Sequence, residues 1–343
     1  MMRQINWGII GLGNIAEEFA QAFKELSNAN LLAAASRDES RLKKFSQKFN
    51  ISEKYNFLNY NEIINCSEID IIYIALPHSL HYQWIVKCIE AKKSVICEKP
   101  ATINLIEIQK INNLLDKNEI FFAEGFMYRF HPQTSALIEI IRQNEIGELH
   151  KMESFFGKNF IEKKNVFGFK KLKLNRESRL FKKELGGGSI LDLGCYPSSL
   201  SILIAQIKSE DFSNEIKLNN IKKLIGPTKV DLEAYANIVF NNNFNSYIGS
   251  SFKNDLGKIT KIIGSKGEII VPDSWHCENS KIIVNDKEHM IKQKYANIFS
   301  YEIESISNSL LNNEIEPKFP AIKRNETELN MNILNKWINS NEK

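Results

Sequence analysis

Apolar and polar positions change their spacing about a third of the way along the chain. Up to about residue 123, short continuous apolar runs alternate with segments whose apolar residues recur every three or four positions. The runs Asn6–Ile10, Leu31–Ser36, Ile69–Ala75, Ser94–Cys97 and Ile120–Ala123 predict strands. The periodic segments Ile15–Leu26, Glu39–Phe49, Leu80–Ala91 and Leu105–Asp116 predict helices. Strands without a polar face, separated by amphipathic helices, predict a parallel sheet covered on both sides. Ligands of such sheets bind at the carboxyl ends of the strands.

Past Ala123 the pattern is different. Two helical stretches are predicted, Pro132–Gln143 and Leu191–Ile207, and a third near Glu326–Ile338. The rest alternates as strands: Glu148–Phe156, Val230–Phe240, Ser246–Phe252, Lys258–Gly264, Glu268–Val271 and Lys281–Val284. Asn241-Asn242-Asn243, Ser265-Lys266-Gly267 and Asn285-Asp286 read as hairpin turns, so this sheet is expected to be antiparallel. The polar segment Ser209–Lys223 reads as a surface connection. The fold class is α/β in two domains, one over 1–123 and the other over 124–343.

The first strand runs into Gly11-Leu12-Gly13-Asn14-Ile15-Ala16, a GxGxxA pattern. Gly11 allows the tight turn, Gly13 lets backbone approach a pyrophosphate, and Ala16 is small enough for close helix–strand packing. The helix beginning near Asn14 offers free N–H groups to the phosphates. The motif follows a strand and opens a helix, which is the context a dinucleotide site requires. At the end of the second strand, Ser36 stands where an NAD site usually carries an acid for the ribose. Ser36 does not repel a 2′-phosphate and Arg37 can bind one with a hydrogen-bonded fork, with Arg41 and Lys43 adding field. This favours NADP(H) over NAD(H). The competing reading makes Asp38 the ribose acid and Arg37 a solvated residue.

Cys97-Glu98-Lys99-Pro100 ends the fourth strand and places the Lys99 ammonium at the ligand edge. There it can polarise a substrate oxygen and lower the pKa of a neighbouring phenol. Pro100 restricts Lys99 to extended backbone. Glu98 pairs with Lys99 or bonds the cofactor. In Gly186–Tyr196, GGGSILDLGCY, Asp192 and Tyr196 are four apart and share a face if the segment is helical. The glycines form the helix entrance, with backbone free to approach a ligand, and Pro197 predicts a kink because its ring opposes the Leu193 carbonyl. Taken alone, Tyr196 is as well explained as a core aromatic. With Lys99 it becomes a proton donor or acceptor.

Other features narrow the picture. His78 and His81 have HxxH spacing without an acidic cluster, so no metal is expected. His81 is expected to support the cofactor loop, together with Leu76 and Pro77. Arg129, past the fifth strand, is expected at cofactor or substrate. Lysines and arginines crowd Lys163–Lys183, either as a solvated loop or as an electropositive lid over an anionic substrate. The net charge of +4 over 343 residues argues against nucleic acid. Five scattered cysteines with no CxxC pair indicate reduced thiols and a cytoplasmic location. No apolar run reads as a membrane span, and the N-terminus enters a strand too early for a signal peptide.

The segments WGIIGLGNIA, DIIYIALPHSLHYQWIVKCIEAKKSVICEKPATIN, EGFMYRFHPQ and GGGSILDLGCYP resemble the glucose–fructose oxidoreductase, inositol dehydrogenase and rhizopine catabolism family. The resemblance covers nearly the whole chain. It implies a doubly wound Rossmann domain followed by an α/β domain with a large, open, mostly antiparallel sheet, through which members associate as homodimers or homotetramers. It places the family's catalytic lysine on Lys99 and its helix carboxylate on Asp192. Tyr196 stands where many members have histidine, which is similar to the tyrosine-type branch of dimeric dihydrodiol dehydrogenase and NADP-dependent xylose dehydrogenase. The function implied is hydride transfer between NAD(P) and a carbinol or carbonyl carbon of a sugar, sugar derivative or cyclic diol. The alternatives are a nucleotide-sugar dehydrogenase or ketoreductase, and a non-catalytic nucleotide sensor on the same fold.

Overall fold

A computed structural model describes residues 3–164, 170–172, 174–209, 213 and 215–340, with backbone only for 162–164 and 170–172. The chain forms two compact units. The first comprises Met1–His131 and Gln293–Thr327, the second Pro132–Lys292 and Glu328–Lys343.

The first unit begins with β1 (Ile5–Ile10), α1 (Asn14–Ala22), β2 (Ala29–Ala35), α2 (Glu39–Phe49), β3 (Asn56–Phe57) and α3 (Tyr60–Asn65). It continues with β4 (Ile71–Ile74), α4 (His78–Glu90), β5 (Ser94–Glu98), α5 (Leu105–Asn118) and β6 (Phe122–Gly125). The strands pair in parallel in the order β3-β2-β1-β4-β5-β6. Chain order reverses beside β1, so the carboxyl ends of β1 and β4 flank the crevice where a doubly wound sheet takes its ligand. All four residues of β4 are buried, as expected of a strand with helices on both faces.

The second unit opens with α6 (Pro132–Arg142), β7 (Leu149–Gly157) and the short antiparallel pair β8 (Glu162–Lys164) and β9 (Lys170–Leu172). After the glycines, a π-helical turn over Ile190–Gly194 leads into α7 (Cys195–Lys208). Pro197 has no N–H to give and its ring would strike the Leu193 carbonyl in a regular helix; the wide turn just before it is the expected response. Then come β10 (Lys217–Ile225), β11 (Asp231–Val239), β12 (Asn245–Ser251), β13 (Thr260–Gly264), β14 (Gly267–Val271), β15 (Lys281–Val284) and β16 (Lys287–Met290). They form one sheet in the order β10-β11-β12-β7-β13-β14-β15-β16, antiparallel except where β12 meets β7. By length and composition alone Lys183–Lys208 could cross a membrane, but 89% of its most apolar stretch is buried within the fold, as befits a core helix.

Two further helices follow, α8 (Ile298–Leu311) and α9 (Arg324–Asn339). The helix α8 belongs to the first unit, where it packs on α1 and β1 and where the Trp7 indole donates to Ser307 across 3.0 Å. The sequence concealed α8 because it buries Ser300, Glu302, Ser307 and Ser309, which break the apolar period. The segment expected to be a surface connection overlaps β10, an edge strand whose exposed polar residues hide the alternation.

Candidate active site

In the first unit, Gly11 has φ +88, and a Cβ there would lie 2.6 Å from the Ala75 carbonyl, so only glycine passes between β1 and β4. Gly13 caps α1 with no side-chain hydrogen bond, and a Cβ built on it would meet nothing within 4 Å. The first-turn N–H groups, Asn14 and Ile15 included, therefore border open space of the kind a pyrophosphate occupies. Leu12 is buried beside them and Ala16 is fully buried under the turn. A dinucleotide fits this cradle.

At the end of β2, the buried Ser36 hydroxyl accepts the Asp38 N–H at 3.1 Å. The Asp38 carboxylate accepts the Arg41 N–H at 3.0 Å and so caps α2. The Arg37 guanidinium is exposed and lies 5.8 Å over the Tyr60 ring. Arg41 and Lys44, with Glu17, Asp38 and Lys48, line an adjacent hollow of about 310 Å³.

The turns after β4 and β5 are tied to each other. The His81 ring nitrogens lie 2.8 Å from the Pro100 carbonyl and 2.7 Å from the Leu76 carbonyl. His81 thus links the Leu76-Pro77 turn to the residue after Lys99. His78 packs edge-on against His81, and both are buried. Glu98 accepts the Tyr73 hydroxyl at 2.6 Å, and burial together with Glu98 pushes that phenol well up. Glu124, at the end of β6, accepts the Ala101 N–H at 2.9 Å. Burial pushes its carboxyl up to about 7, against the opposing pull of that N–H. Lys99 is thereby held on a strand end fixed from both sides, with its own side chain half-buried.

In the second unit, Asp192 and Tyr196 are both 6% exposed. The Tyr196 ring meets Phe156 edge-on at 5.3 Å and lies 5.6 Å from Trp275. The Trp275 indole donates to the Phe155 carbonyl at 3.2 Å, which fixes this aromatic wall. The Asp192 carboxylate pairs with Arg179 at 3.0 Å. His276 lies 5.9 Å from Phe156, and burial keeps its imidazole below the ordinary range.

Residues 5–126 match the model of an oxidoreductase family with an NAD-binding Rossmann fold, and residues 134–270 match the GFO/IDH/MocA C-terminal domain. The chain belongs to this family. It is an NAD(P)-binding oxidoreductase of GFO/IDH/MocA type. The trans-1,2-dihydrobenzene-1,2-diol dehydrogenase of Xenopus tropicalis is 28% identical over 286 residues, covering 82% of this chain and 79% of that protein. A 3-ketoreductase from Actinomadura kijaniata, solved with NADP and TDP-benzene, has a TM-score of 0.81 at 18% identity, over 97% of each chain. A levoglucosan dehydrogenase solved with NADH and levoglucosan has a TM-score of 0.79 at 17% identity, over 98% of this chain and 96% of that one. At these identities the two structures share the fold.

Within this GFO/IDH/MocA chain several readings of the sequence change. Gly187 and Gly188 are tightly packed. A Cβ on Gly187 would meet the carbonyls of Leu180, Arg179 and Lys182 at 2.7–2.8 Å, and one on Gly188 the Asp231 carboxylate at 2.4 Å. Arg129 is fully buried, with its guanidinium on the Pro320 carbonyl at 3.0 Å and on Glu326 at 3.3 Å. These contacts tie the turn after β6 to the segment around Pro320. In the basic stretch, residues 165–169 and Lys173 fall outside the described residues wholly, as do the side chains of Lys163, Lys164, Lys170 and Lys171. Of the rest, Lys182 pairs with Glu177 and Arg179 with Asp192. No group of three or more metal-binding side chains occurs among the described residues. Glu124 in the first unit, and Arg179, Asp231 and Trp275 in the second, carry no local motif, and their contacts are visible only in the fold.

Proposed function

We propose that this oxidoreductase prefers NADP(H) and moves a hydride to or from a CH–OH or carbonyl carbon of a sugar, sugar derivative or cyclic diol. The observation that carries the reading is the pairing of roles: a lysine on a strand end in the nucleotide-binding unit, and a tyrosine and carboxylate on one buried helix entrance in the other. Bound nicotinamide supplies or accepts the hydride. Gly11, Leu12, Gly13, Asn14 and Ile15 hold the pyrophosphate, while Leu76, Pro77, His78 and His81 shape the loop beside it. Tyr196 exchanges the proton with the substrate oxygen, Lys99 favours the phenolate and orients that oxygen, and Asp192 holds a substrate hydroxyl.

The NADP(H) preference is supported by the position of Arg37 and the local engagement of Asp38. Its carboxylate caps α2, which leaves the exposed Arg37 as the group at the end of β2 suited to a 2′-phosphate. The outward face of the second unit's sheet carries Phe155, Tyr235 and Tyr247 in mutual ring contact, flanked by Lys151, Glu153 and Lys261. That surface supports association as a homodimer or homotetramer. One assay tests the function. Purified protein is followed at the nicotinamide absorbance band with NADP+ and NAD+ against trans-1,2-dihydrobenzene-1,2-diol, D-xylose, levoglucosan and a nucleotide sugar. Turnover of the diol or a simple sugar with NADP+ supports the reading. Turnover confined to the nucleotide sugar favours that alternative, and binding of NADP(H) without turnover of any carbinol favours a sensor.

A further inference from the structure

We propose that Arg179 is a positioning residue of the reaction: it holds the Asp192 carboxylate toward the substrate hydroxyl, and the glycine elbow Gly186–Gly188 serves to place it there. The inference rests on the reading of Asp192 as a substrate-holding group.

The geometry is specific. Asp192 lies in the π-helical turn with its side chain 9% exposed, and Arg179 reaches it across 3.0 Å from thirteen residues earlier, its own side chain 42% exposed. The guanidinium therefore covers the carboxylate from the solvent side. Both partners are built on one clamp. The Phe181 ring is buried edge-on against Phe252 at 5.7 Å, which anchors the strand of chain bearing Arg179. The N–H groups of Gly187 and Gly188 donate to the Lys182 and Leu180 carbonyls, each at 3.0 Å. Gly187 sits where three carbonyls converge, so no larger residue can close the elbow. On the other side, Asp231 of β11 accepts the Ser189 hydroxyl at 2.8 Å and the Ile190 N–H at 2.7 Å, which fixes the start of the turn holding Asp192.

A pair with one half-exposed partner contributes little to stability, so stability is a weak reason for this construction. A planar guanidinium sets the rotation of the carboxylate plane it pairs with, and so the directions in which that carboxylate's oxygens point. Misplacing a group that orients substrate costs about 100-fold in rate per ångström at the upper end.

The test uses full-length wild type, Arg179→Lys, Arg179→Met, Asp192→Asn and the Arg179→Met/Asp192→Asn double variant, with NADP+ and D-xylose or trans-1,2-dihydrobenzene-1,2-diol. NADPH binding is measured in parallel by fluorescence. Arg179→Met should lower kcat about 10- to 100-fold and leave NADPH affinity and melting temperature within error. Arg179→Lys should recover part of the loss, and added guanidinium ion should partly rescue Arg179→Met. In the Asp192→Asn background, Arg179→Met should have no further effect. Wild-type kinetics for Arg179→Met, or the same factor lost with and without Asp192, overturn the proposal. Wild-type kinetics for Asp192→Asn overturn the role of Asp192 itself and so separate the two failures.

Discussion

Glu124→Gln should gain stability relative to the wild type as pH rises from about 4 to about 8. Glu124 is 2% exposed, and burial raises its carboxyl from 4.5 to about 7 in the folded chain. Below pH 4.5 the carboxyl is protonated whether the chain is folded or not, so it exerts no pH-dependent effect. As pH rises through 4.5 the unfolded chain releases this proton and the folded chain keeps it until about 7, so folded stability falls across that window. The loss is complete above pH 7 and amounts to about 3 kcal/mol. Glutamine keeps the oxygen that accepts the Ala101 N–H and removes the titration. The difference between variant and wild type should therefore grow by about 3 kcal/mol in favour of glutamine between about pH 4 and pH 8. In a unit of this size that is roughly 6–12 °C in Tm. Thermal unfolding of both proteins, followed by tryptophan fluorescence at several pH values, reads it directly. A difference that does not change with pH refutes the reasoning, because every other titrating group cancels in the comparison.

Arg37→Ala should weaken NADP(H) binding by about 1.5–3 kcal/mol and NAD(H) binding little, and equal losses for both cofactors would show that Arg37 does not meet the 2′-phosphate. Lys99→Met and Tyr196→Phe should each lower turnover by about 10²–10⁴-fold with cofactor affinity nearly intact. The double variant should lose less than the product, since the two act as a unit; an unchanged rate in Tyr196→Phe with chemistry limiting would remove the phenol as proton carrier. Gly187→Ala should destabilise the second unit by about 1–3 kcal/mol, because the new methyl meets three carbonyl oxygens at 2.7–2.8 Å. Urea unfolding at wild-type stability would contradict that. Should D-xylose prove inferior to an anionic sugar, raising salt should lower kcat/KM for the anion, and charge reversal at Lys170 and Lys171 should abolish the salt effect; the lid reading fails if neither is seen.

Local rules made much of this protein legible before folding. Five strands and four helices of the first unit follow from apolar spacing alone, because a strand covered on both faces has no polar position to confuse the pattern. The glycine loop and the placement of Lys99 just past a strand were legible because each depends on residues close in sequence: a turn and a strand end. Tertiary structure alone decided the rest. The return of α8 to the first unit depends on buried serines and Glu302 finding places that no periodicity records. The capping role of Asp38 depends on where its side chain turns once α2 has formed. The crowding of Gly187 by three carbonyls and of Gly188 by the Asp231 carboxylate likewise comes from the fold. Arg129 is buried on Pro320 and Glu326, far along the chain, and Trp7 reaches Ser307 from farther still. Contacts between residues so far apart are set by which surfaces pack together, and packing is a property of the folded chain that no local spacing encodes.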